Sequence, residues 1–244
     1  MLGGKQREIQ ERHELFLEIG RSQLLEDGYH GLSIGRIANA TGFSKGTVYQ
    51  RFGCKEELIV ELGKRGRKKL LSFLERAAEF EGRPRERMLA LGESCAQYSR
   101  QYPEGMRVLS IITAESVLEK VPAEQRSEME ALDERIFEVM LGIVDDAIAQ
   151  GDLPLTDGSR PETLCLALWA LADGYFAAAR GSAPLDKVGV SEPLGEISRS
   201  GHYLLDGYGW RPLYDEWDYE ETSRRIRAEI FDEKTLVESS VTAG

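Results

Sequence analysis

Residues 33–58 read Ser-Ile-Gly-Arg-Ile-Ala-Asn-Ala-Thr-Gly-Phe-Ser-Lys-Gly-Thr-Val-Tyr-Gln-Arg-Phe-Gly-Cys-Lys-Glu-Glu-Leu. Ser33 is a good N-cap for a short helix that turns Ile34, Ile37 and Ala38 inward. Gly42 breaks the chain, and Ser44 caps a second short helix through Phe52. Two short helices meeting at a tight glycine turn form a helix-turn-helix. In that arrangement Ile34, Ile37, Ala38, Phe43 and Val48 make the small core that fixes the angle between the helices. The second helix then enters the major groove of double-stranded DNA, with its N-terminal side chains toward the bases. Gly46 lets the backbone approach a phosphate closely. Lys45, Thr47, Tyr49 and Lys55 offer donors to phosphate oxygens. Gln50, Lys45 and Arg51 are long enough to reach base edges, Gln toward adenine and Lys or Arg toward guanine.

Working outward, apolar spacing is helical nearly everywhere and nowhere alternates with period two for long, so the fold class is all-α. A helix over Gln6–Asp27 precedes the motif, with Ile9, Phe16, Gly20 and Leu24 on one face and Gly28 as its stop. One long helix follows from Lys55 to about Phe80, and Glu81-Gly82-Arg83-Pro84 interrupts it. Further helices are expected at 85–101, 104–119, 123–150, 161–180 and 191–208. Prolines 84, 103, 122, 161 and 193 stand at or near their starts, where a missing amide costs nothing. The aromatic and acidic segment 209–221 reads as irregular, with one more amphipathic stretch over 222–232. The resulting division is 1–55 for the motif domain, 56–83 for a connecting helix, 84–208 for a helical body and 209–244 for a C-terminal extension.

With Gly28-Tyr29 before it, the quoted stretch resembles the DNA-binding domain of the TetR family of bacterial transcriptional regulators. The matching residues are Ser33, Ile37-Ala38, Gly42-Phe43-Ser44, Lys45-Gly46-Thr47-Val48-Tyr49, Phe52 and Lys55-Glu56-Glu57-Leu58. On this resemblance Ser33, Ser44, Lys45, Gly46, Thr47, Tyr49, Gln50, Arg51 and Lys55 are the candidate DNA-binding residues. Two positions depart from the family pattern. Gly35 replaces a larger polar residue that can touch DNA in many members, and Cys54 stands where a small polar cap is common. The resemblance implies that the body is a ligand-binding and dimerisation domain, and hence a repressor released from a palindromic operator by a small molecule.

Charge and composition agree with two jobs. The 244 residues carry a net charge of −11, which by itself argues against nucleic acid. Yet residues 1–76 hold 14 basic and 10 acidic side chains, and residues 77–244 hold 17 and 32. A basic front end sits on an acidic body. The run Lys64, Arg65, Arg67, Lys68 and Lys69 either extends a phosphate footprint or forms a solvated helix face. In the body, 161–180 is apolar almost all round, which calls for burial on several sides. With Ile197, Tyr203 and Leu204 it is suited to a four-helix homodimer bundle, and a two-fold dimer suits a motif that reads paired half-sites. Polar groups stranded among apolar ones mark a possible effector pocket, namely Tyr98, Thr113, Glu115, Trp169, Asp173 and Tyr175.

Other classes find little support. Cys54, Cys95 and Cys165 are odd in number and lack Cys-x-x-Cys spacing, so neither a disulfide framework nor a zinc site is indicated. His13, His30 and His202 are isolated, no nucleophile, metal-ligand or phosphate-loop spacing appears, and we expect neither catalysis nor a cofactor. No apolar run approaches the ~20 residues of a membrane span, and Lys5, Arg7, Glu8, Glu11 and Arg12 interrupt any signal-like run near Met1, so a cytoplasmic location is expected. A thiol at a helix N-terminus beside Lys55 is expected to have a lowered pKa. The alternatives to a regulator are an enzyme built on the body, or a protein-interaction module using Trp210, Tyr214, Trp217 and Tyr219, with the motif vestigial.

Overall fold

The computed structural model describes residues 4–155, 158–181, 185–190 and 193–231. Among them every regular element is helical, as the spacing of apolar residues requires. The helices are α1 (Gly4–Gly31), α2 (Ile34–Thr41), α3 (Lys45–Tyr49), α4 (Lys55–Ala78), α5 (Pro84–Gln101) and α6 (Pro103–Ala114). They continue with α7 (Ala123–Ala149), α8 (Pro161–Arg180), α9 (Pro193–Gly207) and α10 (Tyr219–Ile230). Short 3-10 turns occupy Val117–Lys120 and Leu185–Val188.

The chain forms two compact units. The first comprises residues up to Lys69 together with Gln101–Asp133. Its core joins Phe16, Leu24, Ile37, Val48 and Leu58 of the N-terminal helices to Val108, Ile112, Val117 and Met129. Residues 101–133 therefore pack with the motif. Gly28 has φ 71°, a left-handed value that glycine tolerates best, and it breaks α1 just before its end. The helix expected over 104–119 ends earlier, at Ala114, because Ser116 adopts φ 49° and the chain re-enters as a 3-10 turn. That change of course buries Val117 completely and Val121 nearly so.

The second unit comprises Leu70–Arg100 and the residues from Glu134 onward. Phe73, Tyr98, Leu164, Phe176, Leu205 and Trp210 are among its buried residues. The segment expected to be irregular to 221 is irregular only to Asp218, which caps α10 by accepting from the Glu221 amide at 2.8 Å. This Asp-x-x-Glu start lies three residues ahead of the expected one. Ahead of it the chain folds back on its own unit. The Arg85 guanidinium is fully buried, donating to Asp206 at 2.6 Å, to the His202 carbonyl at 3.2 Å and to the Trp210 carbonyl. His202 stacks on Tyr214 at 4.5 Å, and the Tyr219 hydroxyl donates to the Pro212 carbonyl at 2.7 Å. Burial places the His202 pKa at about 4, helped by the neighbouring Arg85 cation.

Candidate nucleic-acid interface

The two caps read from the sequence are present. Ser33 accepts from the Arg36 amide at 3.4 Å, and Ser44 accepts from the Thr47 amide at 3.1 Å. Ser44 and Thr47 also share a hydroxyl–hydroxyl bond of 2.9 Å, which fixes the first turn of α3. Gly42, with φ 74°, makes the turn between α2 and α3. Ile34, Ile37, Ala38 and Val48 are buried, and they fix the angle between the two helices. Phe43 departs from that list. It is exposed at the edge, its ring edge-on to Phe16 at 5.4 Å with the Arg12 guanidinium 5.7 Å away.

What this core presents outward is Lys45, Gly46, Tyr49 and Gln50, all exposed, with Tyr49 at 52%. Gly46 carries no positive φ, and a Cβ built on it meets nothing nearer than Ser44 Oγ at 3.6 Å. Internal packing therefore leaves room for a side chain at 46. Gly35 is different. A Cβ there lies 3.1 Å from Lys45 Cε and 3.5 Å from both Lys45 Nζ and Ser33 Oγ. The departure from the family pattern makes space for the Lys45 stem, which rests over the start of α2.

Three sets of basic residues are engaged internally. Lys55 donates to the Tyr29 carbonyl at 2.7 Å and lies 3.9 Å from its ring centre, so it braces the turn after α1. Arg51 donates from Nε to His13 Nδ1 at 2.6 Å. In the α4 run, Lys64 pairs with Glu128 and Glu61, Arg65 with Glu14, and Arg67 with Asp133. Lys69 lies over the Tyr102 ring. These pairs fasten α4 to α1 and α7 within the first unit, which favours the structural reading of that run over a phosphate footprint. Cys54 also departs from expectation: burial raises its thiol pKa, and Sγ faces the Lys120 carbonyl at 3.8 Å.

Sequence reasoning missed the role of Tyr29. Its hydroxyl donates to Glu56 at 2.6 Å and accepts from Lys120 at 2.9 Å, so three elements meet on one ring. The bond to Glu56 raises the Tyr29 pKa. The candidate effector residues are scattered by environment. Tyr98 is buried beside Phe73, whereas Thr113 is exposed and Glu115 half-buried, both in the first unit. Tyr175 bonds to Ser200 at 2.8 Å, while Trp169 and Asp173 lie on the open face of α8. A surface cavity of about 400 Å³ in the second unit is lined instead by Pro154, Leu155, Ser159, Tyr203, Leu204 and Tyr208. Among the described residues no three His, Cys, Asp or Glu side chains cluster to hold a metal, and no helix is long and apolar enough to cross a membrane.

Residues 16–62, which contain these capped helices and their outward edge, match the family model described as bacterial regulatory proteins, tetR family. Over these residues the chain is similar to the TetR family. Across 56 residues the chain is 38% identical to the HTH-type transcriptional repressor AcnR of Corynebacterium efficiens. That match spans 23% of this chain and 29% of the relative, so the likeness is to its domain and not to its whole length. The fold likeness reaches further. The TetR family regulator PfmR of Thermus thermophilus superposes with a TM-score of 0.60 at 21% identity, over 78% of this chain and 97% of that one. FadR of Bacillus subtilis, solved in complex with stearoyl-CoA, superposes with a TM-score of 0.58 at 18% identity, over 80% and 98%. The fold likeness to these regulators thus extends over about four fifths of the chain.

Proposed function

We propose that this chain is a DNA-binding transcriptional repressor that acts as a homodimer and leaves a palindromic operator when a small molecule binds. The observation that carries it is the outward edge Lys45-Gly46-Tyr49-Gln50. These are the residue types that contact phosphates and base edges, and they are displayed by a helix capped and cored from within.

The dimer follows from α8 and α9. On α8 the exposed residues Leu166, Trp169, Ala170, Asp173, Gly174 and Ala177 share one face. The apolar composition of this helix predicts burial on several sides, but among the described residues one chain buries only Leu164, Cys165 and Phe176. Leu166 is 51% exposed, Trp169 49%, and Tyr203 on α9 60%. A two-fold copy covers this face, and a dimer suits a motif that reads paired half-sites about one DNA turn apart. In that reading Trp169 and Asp173 serve the dimer, and Tyr98 remains the foremost effector contact. An effector is supported by the FadR structure with its bound stearoyl-CoA. Helix α4 places residues to Lys69 in the first unit and Leu70 onward in the second, so it offers the effector a path to the motif. A coupling of about 1–3 kcal/mol suffices for such a switch.

Anisotropy of a labelled duplex at low salt tests the DNA contact. Tight binding by the full chain, lost with Lys45→Glu, is expected; equal binding by both proteins would contradict it.

A further inference from the structure

Arg51 stands just past Gln50, the C-cap of α3, where an arginine is expected to reach for guanine. Its surroundings are unusual for a base reader. Nε donates to His13 Nδ1 at 2.6 Å, and Nη2 stands 3.4 Å from the second ring nitrogen. His13 belongs to α1 and is itself 5% exposed, its ring stacked on Phe52 at 5.3 Å. A side chain tied at Nε to a buried partner on another helix is held short of the groove floor. Arg51 is nevertheless exposed, so the part of its guanidinium not facing His13 is available at the protein surface. An arginine held at the rim of the groove with donors to spare is suited to a phosphate oxygen.

We propose that His13 is a positioning residue that holds Arg51 as a contact to the DNA backbone and keeps it from reading bases. This rests on the DNA-binding reading above. Nδ1 can accept only from a neutral ring with its proton on Nε2. Burial, and next the Arg51 cation itself, lower the His13 pKa and favour that neutral form. The nearby carboxylates act in the opposite direction, but Glu14 is engaged by Arg65, and Glu61 by Lys64 and Arg65.

The test is a set of binding isotherms for the full-length protein, on its best duplex and on every single-base-pair variant of it, at several salt concentrations. Arg51→Ala is expected to weaken all duplexes by a common factor, roughly tenfold for one charge-assisted contact. It is also expected to lower the salt slope by about 0.9. His13→Ala weakens binding in the presence of Arg51 and changes nothing in the Arg51→Ala background. His13→Gln, whose amide oxygen still accepts, retains most of the affinity, and this comparison holds even if His13→Ala fails to fold. A loss concentrated at one base pair in Arg51→Ala overturns the proposal, as does His13→Gln binding no better than Arg51→Ala. Wild-type protein that prefers no duplex at all overturns the regulator reading itself.

Discussion

A Cβ placed on Gly63 of α4 lies 2.2 Å from Cδ1 of Ile112 on α6. Ile112 is buried, with Val108 and Leu109 beside it in the same core, so Cδ1 must shift within packed surroundings to admit a methyl at 63. The two helices approach this closely because residue 63 has no side chain. Gly63→Ala is therefore expected to destabilise the first unit by about 1–3 kcal/mol through overpacking, despite the better helix propensity of alanine. Urea unfolding monitored by circular dichroism measures it. A variant as stable as the parent, or more so, shows that α6 yields without cost.

Gly46 has the opposite character, since nothing in the chain opposes a side chain there. Gly46→Ala is expected to leave the melting temperature unchanged or slightly raised, by at most about 1 kcal/mol of added stability. Duplex affinity is expected to fall at the same time, because the backbone is pushed away from the phosphate it approaches. Affinity equal to that of the parent would falsify the close approach.

His202 supplies a pH dependence with a definite sign. In the fold it stays neutral down to about pH 4, whereas in the unfolded chain it protonates near 6.5. Between those values the unfolded state binds a proton that the folded state refuses. Its effect is absent above about pH 6.5, grows as pH falls, and levels off below about 4. The loss reaches about 3 kcal/mol at most. Subtracting the unfolding free energy of His202→Gln from that of the parent, pH by pH, isolates this contribution. A difference that stays constant across the window contradicts it.

The open face of α8 gives a prediction about assembly. Trp169→Glu places a charge in the middle of the proposed interface, at a side chain that is 49% exposed in the single chain. Sedimentation is expected to report a dimer for the parent and a folded monomer for the variant, with operator affinity lowered at least a hundredfold. A dimer that survives this change must use another surface.

Much of this was legible from residue types alone. The caps at Ser33 and Ser44, the turn at Gly42 and the buried Ile37 and Val48 follow from short-range rules, and these residues position the recognition helix. Less legible was whatever depends on residues far apart in the chain. Nothing local to Arg51 announces that His13, 38 residues earlier, accepts its hydrogen bond. Nothing in the run Lys64–Lys69 distinguishes a DNA footprint from ion pairs to Glu14, Glu128 and Asp133, because the partners lie on other helices. The Cys54 thiol shows the same limit. Its place at a helix start argued for a lowered pKa, and burial beside the 3-10 turn prevails. The break in α6 was hidden because Glu115 and Ser116 suit a helix well enough, and only the burial of Val117 turns the chain.

The most direct measurement is selection of bound sequences from a random duplex pool, with purified full-length protein at near-physiological salt. A dimeric reader is expected to recover a palindrome whose half-sites lie about one helical turn apart; Gln50→Ala alters the base preference, whereas Tyr49→Phe weakens binding to all sequences alike. Recovery of no preferred sequence by folded, dimeric protein, with or without added ligands, would contradict the assignment of this edge to operator recognition.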